Sequence, residues 1–140
     1  LPTGNQFSCR GYATNLAGDS ALSNTISFTT QAPTAPSRPT VLNTDFGDEE
    51  IYLYVSSSSN GGSAITRYTA TCTDGTNSFT GTSTSSPITV SGLTNDVAYT
   101  CTVTATNSVG TSSASAATAP ITPEETSSGL PIWLLYQATQ

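Results

Sequence analysis

Gly92-Leu93-Thr94-Asn95-Asp96-Val97-Ala98-Tyr99-Thr100-Cys101-Thr102-Val103-Thr104-Ala105-Thr106-Asn107 is the stretch that decides the fold. Tyr99, Cys101, Val103 and Ala105 alternate with Thr100, Thr102, Thr104 and Thr106, a period of two that gives a strand one apolar face and one polar, β-favouring face. Gly92, Asn95 and Asp96 ahead of it mark a turn. The same wording stands earlier: Phe7-Ser8-Cys9-Arg10-Gly11-Tyr12-Ala13-Thr14-Asn15-Leu16-Ala17-Gly18 echoes Tyr99-Thr100-Cys101-Thr102-Val103-Thr104-Ala105-Thr106-Asn107-Ser108-Val109-Gly110. Cys101, Asn107 and Gly110 each follow Cys9, Asn15 and Gly18 by 92 residues. A repeat of roughly 90 to 100 residues is the length of one small β-sandwich. The chain is therefore expected to start inside one repeat and to hold one whole repeat after it.

Working outward, strands are expected near Thr40–Leu42, Glu50–Val55, Thr66–Cys72, Asn77–Gly81, Pro87–Val90, Val97–Asn107 and Ser113–Ala119, with Gly, Asn and Ser turns between them. Ile51, Leu53 and Val55 share one face, and no helical periodicity competes. Ala32-Pro33-Thr34-Ala35-Pro36-Ser37-Arg38-Pro39 reads as an extended hinge, because each proline fixes its own φ and restrains the residue before it. The expected fold class is all-β: a seven-stranded immunoglobulin-like β-sandwich preceded by the last two strands of another. The expected domains are a hairpin over residues 1–31, a Pro-rich linker over 32–38, a complete module over 39–122, and a linker with an apolar strand over 123–140.

Composition narrows the function. The 140 residues carry 9 acidic and 3 basic side chains, a net charge of −6, no lysine and no histidine. A nucleic-acid binder needs a basic face to displace counterions from phosphate, and Arg10, Arg38 and Arg67 do not supply one. Without histidine there is no Ser/His or Cys/His nucleophile pair and the commonest metal ligand is missing, so no enzyme, no cofactor and no metal are expected. Ser and Thr make up about a third of the chain and charged residues 9%. That composition, with its Tyr, Phe, Val and Ile, suits folded strands with hydroxyl-bearing outer faces and argues against an acidic disordered chain. Leu1-Pro2-Thr3-Gly4 has neither the basic nor the apolar region of an export signal, so the segment reads as mature or as a fragment. The apolar run Leu130 to Tyr136 is too short to span a bilayer, and membrane insertion is not expected.

Three further stretches carry a resemblance to a known family. They are Pro36-Ser37-Arg38-Pro39, then Asn60-Gly61-Gly62-Ser63-Ala64-Ile65-Thr66-Arg67-Tyr68 entering the third strand, and Gly92 to Tyr99 before the sixth. The chain resembles a fibronectin type III domain of the kind found in bacterial exported multi-repeat proteins. The resemblance implies a tyrosine corner, with Tyr99 packed under the preceding loop and its hydroxyl reaching back to main chain. The family's second-strand tryptophan is missing, and Tyr54 or Val55 stands near its place. The resemblance also makes the strands of Cys72 and Cys101 neighbours in one sheet. A cross-strand disulfide then competes with two reduced, buried thiols, while Cys9, at the place of Cys101 in the first repeat, stays unpaired with a partner upstream of residue 1.

The family has no shared active site, so the function implied is a structural or adhesive module of an exported bacterial surface protein. The alternative is an accessory or carbohydrate-binding spacer of a secreted polysaccharide-degrading enzyme, for which Tyr52, Tyr54 and Tyr68 give only a weak hint of an aromatic platform and read first as core and strand residues. Partners would be other copies of the chain or neighbouring repeats, with carbohydrate as the ligand under the alternative. The location implied is extracellular or the cell surface. Asp45, Asp48, Glu49 and Glu50 match no ordered calcium loop and read as a solvated turn, with no cleft for paired-carboxylate catalysis. The hairpin carries Phe7, Tyr12, Leu22, Ile26 and Phe28 without the strands that should cover them, so a covering layer is expected. Ile132, Trp133, Leu134, Leu135 and Tyr136 would be an aggregation hazard if left in water. They are read as a cap on the chain's own module, as the first strand of something further downstream, or as an assembly strand lent to an adjacent subunit's exposed edge and building filaments.

Overall fold

Alternation of Ile51, Leu53 and Val55 and of Cys101, Val103 and Ala105 becomes two facing sheets in the computed structural model, which describes residues 4–56 and 59–125. The chain divides into two compact units, Leu1–Pro33 and Thr34–Gln140.

In the second unit one sheet runs in the order β5–β6–β9, from β5 (Val41–Gly47), β6 (Glu50–Val55) and β9 (Ile88–Ser91). The other runs β10–β7–β8, from β10 (Thr100–Thr106), β7 (Arg67–Thr73) and β8 (Ser78–Ser83). Every pairing is antiparallel. The inward residues Ile51, Leu53, Ile88 and Val90 of one sheet meet Ala70, Cys72, Cys101, Val103 and Ala105 of the other, and all are buried. Of the two residues near the place of the missing tryptophan, Val55 joins this core while Tyr54 turns outward. On one flank the sheets meet edge to edge: a Cβ on Gly81 of β8 would run into the Thr89 carbonyl of β9, and only glycine permits that approach.

The seventh strand expected over Ser113–Ala119 is not a regular strand. The segment does run beside β10, but it advances three residues for every two of its neighbour. The N–H groups of Ser112, Ser115 and Thr118 donate to the carbonyls of Ala105, Val103 and Cys101. Their hydroxyls then accept from the N–H groups of those same three residues, at 2.9 to 3.0 Å. Each rung thus adds one residue, as a β-bulge does, and a side-chain oxygen stands where a ladder carbonyl would be. The rung pattern ends in a reciprocal main-chain pair between Tyr99 and Ile121.

The first unit is a hairpin. β1 (Gln6–Cys9) pairs with β4 (Ile26–Thr29), and β2 (Thr14–Asn15) with β3 (Gly18–Asp19) around a tight turn. Phe7 and Phe28 stack at 5.8 Å. Between the two pairs the same rungs appear, Ser20 with Ala13 and Ser23 with Gly11. Within this unit no further layer covers the apolar side chains of the hairpin: Ile26 is 70% exposed and Phe28 42%.

Candidate functional site

The features that organise the second unit sit at its two ends and along one flank. At one end the loop Gly92–Asp96 folds over Tyr99, which is buried and accepts a hydrogen bond on its hydroxyl from the Thr94 N–H at 3.1 Å. Phe79 meets the Tyr99 ring edge-on at 5.8 Å. The β5–β6 turn is tied to the same loop. Asn95 donates to Asp48 at 2.7 Å and accepts from the Glu49 N–H at 2.9 Å, and the Leu93 N–H donates to the Glu49 carbonyl.

The acidic residues are accordingly structural. Asp48 and Glu49 brace the turn, whereas Asp45, expected in that turn, lies within β5 opposite Tyr52. Among the described residues no three His, Cys, Asp or Glu side chains gather as a metal site. Glu50 accepts from the Tyr52 hydroxyl at 2.6 Å. That bond, with desolvation and the charges of Glu50 and Asp45, holds the Tyr52 hydroxyl above the ordinary tyrosine range. Tyr68 belongs to the core, so only Tyr52 and Tyr54 of the three tyrosines face outward.

At the opposite end Asn107 is 5% exposed and uses its whole amide. Its Nδ2 donates to the Thr34 and Asn60 carbonyls at 2.7 and 2.8 Å, and its Oδ1 accepts from the N–H groups of Val109 and Gly110. One side chain thereby pins the module's first residues to two loops. The Thr34 N–H donates to the Gly61 carbonyl and Pro36 and Pro39 are buried, so much of the expected linker is built into the module.

Between the ends, Cys72 of β7 and Cys101 of β10 are direct register partners joined by a 2.01 Å S–S bond, both wholly buried. Cys9 is free and exposed in the first unit. Along the flank away from Gly81, β5 pairs only with β6 among the described residues. Its other edge borders a groove of about 360 Å³ lined by Arg38–Thr44 and Ala116–Ala119. A bulge between Val41 and Asn43 leaves Leu42 there 68% exposed. The proposed assembly residues Ile132, Trp133, Leu134, Leu135 and Tyr136 lie outside the described residues. Sequence reasoning missed the hydroxyl rungs and Asn107. The signal for the rungs was present as Ser112, Ser115 and Thr118 at a spacing of three.

The corner at Tyr99 and the two three-stranded sheets match a known pattern: residues 34–121 fit the fibronectin type III domain. The chain belongs to the fibronectin type III family. Solved structures similar to it include a run of titin domains, at 22% identity and TM-score 0.55, over 73% of this chain and 37% of that one. Domains of chicken CNTN1 match at 20% and 0.56, over 64% of this chain and 33% of theirs. The extracellular region of rat CD45 matches at 15% and 0.57, over 87% and 65%. These likenesses show a shared fold, and the chain spans about a third of the first two. No curated protein matches it by sequence. Fibronectin type III domains are in general non-catalytic modules, and a buried disulfide within the sandwich fits an extracellular setting.

Proposed function

We propose that this fibronectin type III chain is a structural and adhesive module of an exported bacterial surface protein, and that copies of it assemble by lending the segment 131–138 to one another. The observation that carries the reading is the free edge of β5. A sheet edge with unpaired main-chain groups is a template for another strand. The other edges of the sandwich are poor templates: β8 and β9 meet at Gly81, and the segment 112–121 is bulged at every rung. The β5 edge runs in regular register from Asn43 to Gly47 beyond its one bulge and opens on a groove of mixed polar and apolar lining with Leu42 at its rim. Leu130 to Tyr136 has as many residues as β5, and alternation would send Ile132, Leu134 and Tyr136 to one face and Trp133 and Leu135 to the other. One copy's segment on the next copy's edge is a head-to-tail contact, which propagates unless its rotation closes a ring.

Sedimentation and electron microscopy of the full chain and of a chain ending at residue 128 test this. The full chain is expected to form linear assemblies, and the shortened chain to remain a folded monomer, as should the full chain carrying Leu42→Lys. Identical assemblies from the shortened chain would refute the strand-lending reading. The accessory-module alternative keeps the outward pair Tyr52 and Tyr54 as its support, and retention on insoluble polysaccharide that is lost in the double alanine variant would favour it.

A further inference from the structure

The outer side of β7, β8 and β10 carries a net of hydroxyl-bearing residues in register across all three strands. Thr100, Thr73 and Ser78 form one row, Thr102, Thr71 and Thr80 the next, and Thr104, Thr69 and Thr82 the third. Their neighbours along the strands, Ala70, Cys72, Cys101 and Val103, are buried in the core, so the net faces solvent. Main-chain pairing sets its members about 4.8 Å apart across the strands, and alternation sets them about 6.7 Å apart along each strand. The Thr73 hydroxyl donates to the Asn77 carbonyl and accepts from the Gly75 N–H. Among the described residues the other hydroxyls of the net have no protein partner. No ionised group interrupts it: Arg67, opposite Thr106, and Asp74, in the β7–β8 turn, stand at its two ends. A polar, β-favouring outer face does not by itself require this uniformity. The other sheet meets the same demand with Asn43 beside Tyr54, Asp45 beside Tyr52, and Glu50 beside Ser91.

We propose that this face binds crystalline water, adsorbing the chain to the surface of ice. A net of near-identical side chains suits an occupant that is itself periodic, and its two spacings fall close to those of the oxygen rows on the prism faces of hexagonal ice. The free hydroxyls take the place of lattice water, and the threonine methyls, which water solvates poorly, lie between the rows. Charge agrees: an ionised side chain would have to shed its hydration shell against a neutral lattice, and the net holds none. Other occupants fit less well. Nine cells of this spacing cover about 290 Å², well under half of the ~800 Å² that each partner of a stable protein complex contributes. The net also has no aromatic ring on which a sugar could stack. It belongs to the sheet that does not contain β5, so the proposal is independent of strand lending at the β5 edge.

The test grows ice slowly from a dilute solution of the full chain and compares the protein caught in the ice with that left in the liquid. Expected is capture several-fold above that of an inert protein of like size, with faceted crystals in place of round discs. Thr71→Lys sets a charge at the centre of the net, and Thr80→Lys sets one on its outer strand. Each should reduce capture to the inert level while circular dichroism shows the strands intact. Thr80 is the more exposed of the two, so its variant carries the test if Thr71→Lys does not fold. Thr89→Lys, on the outer side of the other sheet, and Leu42→Lys, which bears only on strand lending, should both keep full capture. Capture of the parent chain at the inert level overturns the proposal, as does undiminished capture of folded Thr80→Lys. So does a dimer of the Leu42→Lys chain that an added Thr80→Lys dissolves, because a second copy would then occupy this face.

Discussion

Replacing Ser115 by alanine removes the acceptor of the Val103 N–H, a bond of 2.9 Å between two buried residues in the middle of β10. No water reaches that amide in the folded state, so the substitution leaves a buried donor unpaired, which costs about 1–3 kcal/mol. The hydroxyl's onward bond to the Ala116 carbonyl is lost as well, and that carbonyl is nearer the surface. Taking about 2 kcal/mol and about 4–8 °C per kcal/mol for a domain of this size, Tm should fall by roughly 8–16 °C. Ser113, two residues earlier, is exposed and makes no rung, so Ser113→Ala should stay within about 0.5 kcal/mol of the parent. A regular seventh strand with a period of two would put residues 113 and 115 on one face and blur that contrast. Calorimetry gives the stabilities, and amide exchange by NMR should show Val103 losing protection while Thr102, whose strand partner is in β7, keeps it. Equal stabilities for the two variants, or unchanged protection at Val103, would refute the rung account.

Reducing the Cys72–Cys101 bond, or replacing both residues by serine, opens a loop of 29 residues and should lower stability by about 3–4 kcal/mol on the chain-entropy account, read by urea titration. Asn107→Ala strands two carbonyls and two N–H groups near the Thr34 end and should cost more than 2 kcal/mol, being the loss of several bonds of about 1 kcal/mol each; comparison with Asn95→Ala checks it. Tyr52 should ionise above the ordinary tyrosine range in an ultraviolet titration, and Glu50→Gln should bring it back toward that range. Since its folded value is raised, the stabilisation from this contact is complete below the ordinary tyrosine range and is lost as pH rises through the folded value. Asp74 behaves oppositely. The Asn77 main-chain and side-chain donors, with the Thr76 N–H, hold it below the usual carboxylate range, so its contribution is present above that range and fades as pH falls through the folded value. Asp74→Asn should flatten that acid limb.

Strict alternation made β6 and β10 legible, because a strand buried on one face must repeat every two residues. The corner at Tyr99 was legible through the family resemblance, carried by the stretch from Gly92 to Tyr99. The edge at 112–121 was misread as a regular strand: hydroxyls that replace ladder carbonyls shift the period from two to three, and Ser113, Ala114, Ala116 and Ala117 then look equally fit for either. Asn107 was invisible because its four partners come from three separate stretches of chain. Tyr68, read as a core or strand residue ahead of any aromatic platform, lies in the core.

Trp133 is the only tryptophan in the chain and lies in the segment assigned to assembly, so its emission reports on that segment alone. Fluorescence recorded against protein concentration is therefore the most direct test of the strand-lending claim. The account predicts a water-exposed emission in dilute solution that shifts to the blue as copies associate, in step with the sedimentation coefficient, and that stays red in the Leu42→Lys variant. An emission that does not change with concentration, whether buried or exposed throughout, would contradict it.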